Sequence, residues 1–164
     1  EELSNALEEA IANLLEAKEA EGKKLAEDMI NRLELINENI LNISQYSTGL
    51  IDQYVVKLKD RIKEMLQTDI VDEARISQEV VLYADKTSIE EEITRLKSHI
   101  VQFKELLQSE SIKKAGKRLD FIIQEMNREV NTIGSKSNCL EITNLVIELK
   151  TELEDVREQV QNIE

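Results

Sequence analysis

Between Gly116 and Lys136 the chain sets Lys117, Arg118, Gln124, Glu125, Asn127, Arg128, Glu129, Asn131, Thr132 and Lys136 around a helical apolar stripe. A helix that had only to pack would fill its solvent side with interchangeable Glu and Lys. Amides, a hydroxyl and arginines in close order can bind a ligand. At helical spacing Gln124, Arg128 and Asn131 share one face, and Glu125, Arg128, Glu129 and Thr132 share the neighbouring one. Two carboxylates one turn apart can coordinate a divalent cation, and an adjacent Arg suits the bidentate geometry of a phosphate. The preceding segment offers Glu92, Arg95 and His99, spaced to project from one side over two turns. A His with a carboxylate suits manganese or another first-row metal. With a reference pKa of about 6.5, His99 can also act as acid or base near neutral pH.

The same residues have a purely structural reading, in which Glu125, Arg128 and Glu129 form a surface ion network or a polar contact between helices. Other chemistries lack their motifs: there is no Gly-rich phosphate loop, no nucleophile elbow and no Cys/His zinc spacing. Phe103, Phe121 and the three tyrosines do not cluster in sequence, so no stacking platform for single strands is expected. Cys139 has no second cysteine to pair with and reads as a small packing residue.

Helices must position these groups. Proline is absent, glycine occurs four times and aromatics make up 3% of the chain, which leaves strands little support. The expected fold is all-α. Apolar residues at Leu3, Leu7, Ala10 and Leu14 mark a helical pattern that, after a soft spot around Glu21-Gly22, resumes at Leu25, Met29, Leu33, Ile36, Ile40 and Ile43 and breaks near Ser44–Gly49. A return helix through Ile51, Val55, Leu58, Ile62 and Met65 predicts a long antiparallel, coiled-coil-like hairpin arm over residues 1–67. Residues 68–164 predict a bundle of about four helices. Its seams are Ile76, Val80 and Tyr83; Ile89, Ile93, Leu96, Ile100, Phe103 and Leu107; Ile112, Leu119, Ile122, Met126, Val130 and Ile133; and Ile142, Leu145, Leu149, Leu153, Val156 and Val160. Ser88 with Glu91 predicts a capping box, Ser111 the start of the basic helix, and Gly134 the left-handed residue just past its end.

The net charge of −13 argues against a free-standing nucleic-acid binder, because phosphate neutralisation supplies most sequence-independent affinity. The charge is unevenly spread. Residues 1–44 carry a balance of −7, whereas residues 111–136 carry +3, a basic island in an acidic chain. No apolar run is long enough to span a bilayer and no signal peptide is evident, so a cytoplasmic protein without membrane contact is expected.

The blocks Asp72-Glu73-Ala74-Arg75, Ala84-Asp85-Lys86, Ile89-Glu90-Glu91-Glu92, Arg95-Leu96 with Ser98-His99, and the run from Gly116 to Lys136 resemble, in order, those of the YicC/YloC family. That resemblance implies a metal-dependent endoribonuclease, a hydrolase of RNA that uses manganese or magnesium. It also implies a ring-like homo-oligomer, with six subunits as one candidate count, and a further N-terminal domain ahead of the arm that this chain does not contain. On this reading Glu125, Glu129 and His99 are catalytic, and Glu92, His99, Glu125 and Glu129 hold the metal. Arg95, Lys117, Arg118, Gln124, Asn127, Arg128, Asn131 and Lys136 bind RNA. The competing expectation is a helical oligomerisation or adaptor module without catalysis of its own.

Overall fold

Without proline, and with an apolar residue at every third or fourth position, the chain is helical in nearly all of what the computed structural model describes, residues 2–66, 72–108 and 112–162. The helices are α1 (Glu2–Thr48), α2 (Leu50–Leu66), α3 (Glu73–Thr87), α4 (Glu90–Gln108), α5 (Ile112–Lys136) and α6 (Leu140–Asn162). The all-α expectation holds. Ser111 and the boundary expected between residues 67 and 68 lie outside the described residues.

The break near Ser44 is a bend and not a reversal. Ser47 Oγ and Thr48 Oγ1 both donate to the Ser44 carbonyl, at 2.8 and 3.0 Å, which weakens the main-chain ladder there. Gly49 alone separates α1 from α2, and the Gln53 amide already bonds the Gly49 carbonyl at 3.2 Å. One residue is too short a connection for antiparallel helices, which need roughly two to five. The first two helices therefore run on as one long bent helix, and the antiparallel hairpin forms between α2 and α3. Its contact is the ring of Tyr54 stacked on that of Tyr83, with centroids 3.7 Å apart and planes 3° apart. Asp72 caps α3, accepting from the amides of Ala74 and Arg75.

The C-terminal half of α1 joins α4, α5 and α6 in a closed four-helix ring, packed in the order α1, α4, α5, α6. Cross-helix bonds show that α4, α5 and α6 alternate in direction and that α1 opposes α6: Glu92 meets Lys136, Asp120 meets Arg157, and Arg32 meets Glu152 and Asp155. The core brings together the predicted seams of α4, α5, α6 and the later half of α1, whereas Ile76, Val80 and Tyr83, expected in the bundle, lie on α3, which packs on α2 outside that core. Met29, Leu33, Ile36, Ile40 and Ile43 of α1 share one apolar cluster with Leu96 and Phe103 of α4, Leu119, Met126 and Ile133 of α5, and Leu149 and Leu153 of α6. Each of these side chains is inaccessible to water, and burying each contributes about 1.5–3 kcal/mol. Beyond the ring, Leu3, Leu7 and Leu14 of α1 stay exposed.

Gly134 lies inside α5, which continues to Lys136, and it serves packing instead of a cap. A Cβ built there would stand 3.1 Å from Val146 Cγ1 of α6, so the missing side chain lets the two helices approach. Gly134→Leu should destabilise the fold by about 1–3 kcal/mol. Gly134→Ala should be near neutral, because a helix-propensity gain of about 1 kcal/mol offsets the tight contact. Urea denaturation of the two variants beside the parent checks both.

Candidate nucleic-acid interface

The buried stripe of α5 fixes the rotation of that helix and separates its two polar faces. One turns onto α4, and the other opens beside α6.

On the α4 side, five charged groups are brought together. Arg95 lies within an i,i+4 pair with Glu91, places one terminal nitrogen 3.1 Å from Glu92 Oε1, and places Nε 2.9 Å from Glu129 Oε1. Lys136 Nζ donates to the same Glu92 oxygen at 2.9 Å and to the Ser88 carbonyl at 3.0 Å. Glu92 and Glu129 are buried, at 3% and 6% exposure, and each is met by a cation, as buried carboxylates require. Burial alone would raise the Glu92 carboxyl. The hydrogen bond from Lys136 and the charges of Lys136 and Arg95 outweigh it and hold the group below the usual glutamate range. Glu91, expected to close a capping box with Ser88, lies against Arg95 instead.

This arrangement does not offer a ready ion site. Glu92 and Glu129 are neutralised by Arg95 and Lys136, and Glu125 stands 3.9 Å from Arg128 on the outer side. His99 is half-buried, with Nδ1 lacking a hydrogen-bond partner among the described residues. Among the described residues no three His, Cys, Asp or Glu side chains gather around one point. Arg95 and Lys136, suggested as phosphate contacts, are likewise committed to carboxylates.

The other face behaves differently. Gln124, Asn127, Arg128, Asn131, Thr132 and Ser135 line an open groove of about 610 Å³, completed by Arg157 of α6. Four of the suggested RNA-binding residues therefore share one surface. Asp120 ties off one end, accepting from Gln124 at 2.7 Å and standing 3.3 Å from Arg157 Nε. Arg128 is mostly exposed, with a single long contact to Glu125. Sequence reasoning missed Arg157 and gave Ser135, although within the singled-out run, no role. Ser135 follows from helical spacing after Asn131, but Arg157 belongs to another helix and no local pattern points to it. Lys117 and Arg118 lie farther along α5, at a second depression shared with α4. Cys139 packs half-buried against the core, as expected.

Fold and site together define a class: an all-helical bundle that presents an amide- and arginine-lined groove on the basic helix of an acidic chain. The chain belongs to the endoribonuclease YicC-like family, whose C-terminal profile matches residues 43–164. It is 52% identical over 164 residues to a probable endoribonuclease YicC of Clostridioides difficile (strain 630), covering 99% of this chain and 55% of that protein. It is 30% identical to a probable endoribonuclease YicC of Haemophilus influenzae, covering 100% of this chain and 56% of that one. The chain thus spans about half the length of these relatives.

The cluster on α4 and α5 makes stability depend on pH with a defined sign. Because the folded-state value of Glu92 is depressed, its contribution is present at neutral pH and is lost as pH falls through and below the ordinary glutamate range. Glu92→Gln should cost about 1–2 kcal/mol at pH 7, with the gap to the parent closing as pH falls below the ordinary glutamate range. Urea midpoints of both proteins across that range check it.

Proposed function

We propose that this chain is an RNA-holding part of an endoribonuclease and that the groove between α5 and α6 carries the RNA. The observation behind this reading is the convergence of Gln124, Asn127, Arg128, Asn131 and Arg157 on one open surface of the basic helix. Arg128 has the geometry to take a phosphate by two parallel hydrogen bonds. The amides of Gln124, Asn127 and Asn131 both donate and accept, which suits ribose hydroxyls and base edges. An acidic chain can bind RNA in this way only where its basic island is presented locally, and α5 presents it.

Cleavage itself is proposed for the longer protein of which relatives carry the other half, in a cytoplasmic setting. Divalent-ion dependence, manganese ahead of magnesium, belongs to the same proposal, with no step assigned to an ion held by Glu92, His99, Glu125 or Glu129. A labelled structured RNA should be cut by the full-length protein with manganese and left intact with a chelator. An RNA left intact under both conditions would overturn the reading. For this chain, Arg128→Ala should weaken RNA binding about tenfold and reduce the salt slope by about one, read by fluorescence anisotropy across a salt series.

Assembly is favoured by a separate observation. Leu3, Leu7, Ile11 and Leu14 lie exposed on α1 at helical spacing, an unpartnered seam suited to a second copy. Leu7→Glu with Leu14→Glu should lower the mass measured by sedimentation while leaving helicity unchanged.

A further inference from the structure

The depression at the other end of the basic helix has a different chemistry. It measures about 400 Å³ and is lined chiefly by Gln102, Glu105 and Leu106 of α4 and by Lys117, Arg118 and Phe121 of α5. Phe121 is 61% exposed, although Leu119, Ile122 and Ile123 beside it are buried. The core therefore does not use this ring. Lys117 and Arg118 are exposed too. Among the described residues neither forms an ion pair, whereas Arg95, Arg128, Lys136 and Arg157 each meet a carboxylate.

Helical spacing links this ring to the groove. Lys117, Phe121, Gln124 and Arg128 follow at intervals of four, three and four, so they form one outward stripe about 16 Å long. An aromatic ring in water, flanked by two unneutralised cations and continuous with an amide-lined groove, matches the two parts of a nucleotide: an apolar base face and a charged phosphate. A duplex hides its base faces in the stack and cannot use such a ring.

We propose that Phe121 is a base-stacking platform, so that the RNA held along α5 is single-stranded at this end. An unpaired base lies on the ring while Lys117 and Arg118 contact the phosphates on either side. Gln102 can hydrogen-bond the base edge, and Glu105, which repels phosphate, keeps the backbone on the Lys117 side. The inference rests on the RNA-binding reading above and specifies the form of RNA.

The chain contains no tryptophan, so Phe121→Trp places a lone tryptophan at the site, whose emission can be excited apart from that of the tyrosines. A short RNA without secondary structure should quench that fluorescence and bind the variant at least as well as the parent. Phe121→Ala and Phe121→Leu should each weaken binding of that RNA roughly five- to hundredfold, with a much smaller effect on a duplex of equal length. Phe121 is exposed, so these substitutions leave the core intact, and unchanged urea midpoints confirm that. If Arg128→Ala weakens binding while Phe121→Ala does not, stacking is overturned and the groove reading stands. If the parent binds no RNA at low salt, both are overturned. If Phe121→Ala changes only the mass in solution and Phe121→Leu restores it, the ring belongs to a protein interface and stacking is overturned.

Discussion

The rotation of α5 about its own axis is the constraint on which the rest of the site depends. Leu119, Ile123, Met126, Val130 and Ile133 are sealed between the neighbouring helices with no exposure at all. A helix so gripped cannot turn by even one residue, about 100°, without exposing several of them at about 1.5–3 kcal/mol each. The apolar stripe therefore decides the fate of every polar residue on the helix. Glu129 and Lys136 must face α4, and Gln124, Arg128 and Asn131 must face outward. Core packing and the composition of the groove are one event.

The buried charges on the α4 side are specific more than they are stabilising. Two carboxylates removed from water are costly to house, and a well-packed apolar quartet could be equally stable. Ion pairs, however, have a register. Arg95 reaches Glu129 and Lys136 reaches Glu92 in only one axial alignment of α4 against α5, whereas interchangeable Leu and Ile tolerate sliding by a turn. The arrangement locks the alignment that the core alone leaves loose. Arg32 plays a similar part between α1 and α6, meeting Glu152 at 3.0 Å and Asp155 at 2.7 Å, at partly exposed positions where such pairs are weaker.

Much of this architecture was legible in the chain, and what was not has a physical cause. The seam of α4, the run from Met29 to Ile43 in α1 and most of the α6 seam read directly from their spacing, because burial of a regular stripe is a local property of a helix. In α6, however, Val146 is buried where Leu145 was expected. The hairpin was misplaced because Gly49 and the hydroxyls before it signal a break without stating its angle. Gly134 looked like a helix stop, but its role depends on Val146 in another helix, which no local rule contains. The candidate site divides the same way. Helical spacing grouped Gln124, Arg128 and Asn131 correctly. Spacing also placed Glu125 and Glu129 beside each other, yet it could not tell that one faces solvent and the other Arg95. Phe121 shows the limit most clearly: its separation from other aromatics hid a position shared with Lys117 and Arg128.

The chain enters the α2–α3 hairpin at Gly49, next to Leu50, which packs against the core, and leaves it through the extended backbone of Ser88. Ser88 is itself held, through its carbonyl, by the same Lys136 ammonium that holds Glu92. One side chain thus serves as both latch and rivet. The exit of the chain from the hairpin and the contact between α4 and α5 hang on the same ammonium group.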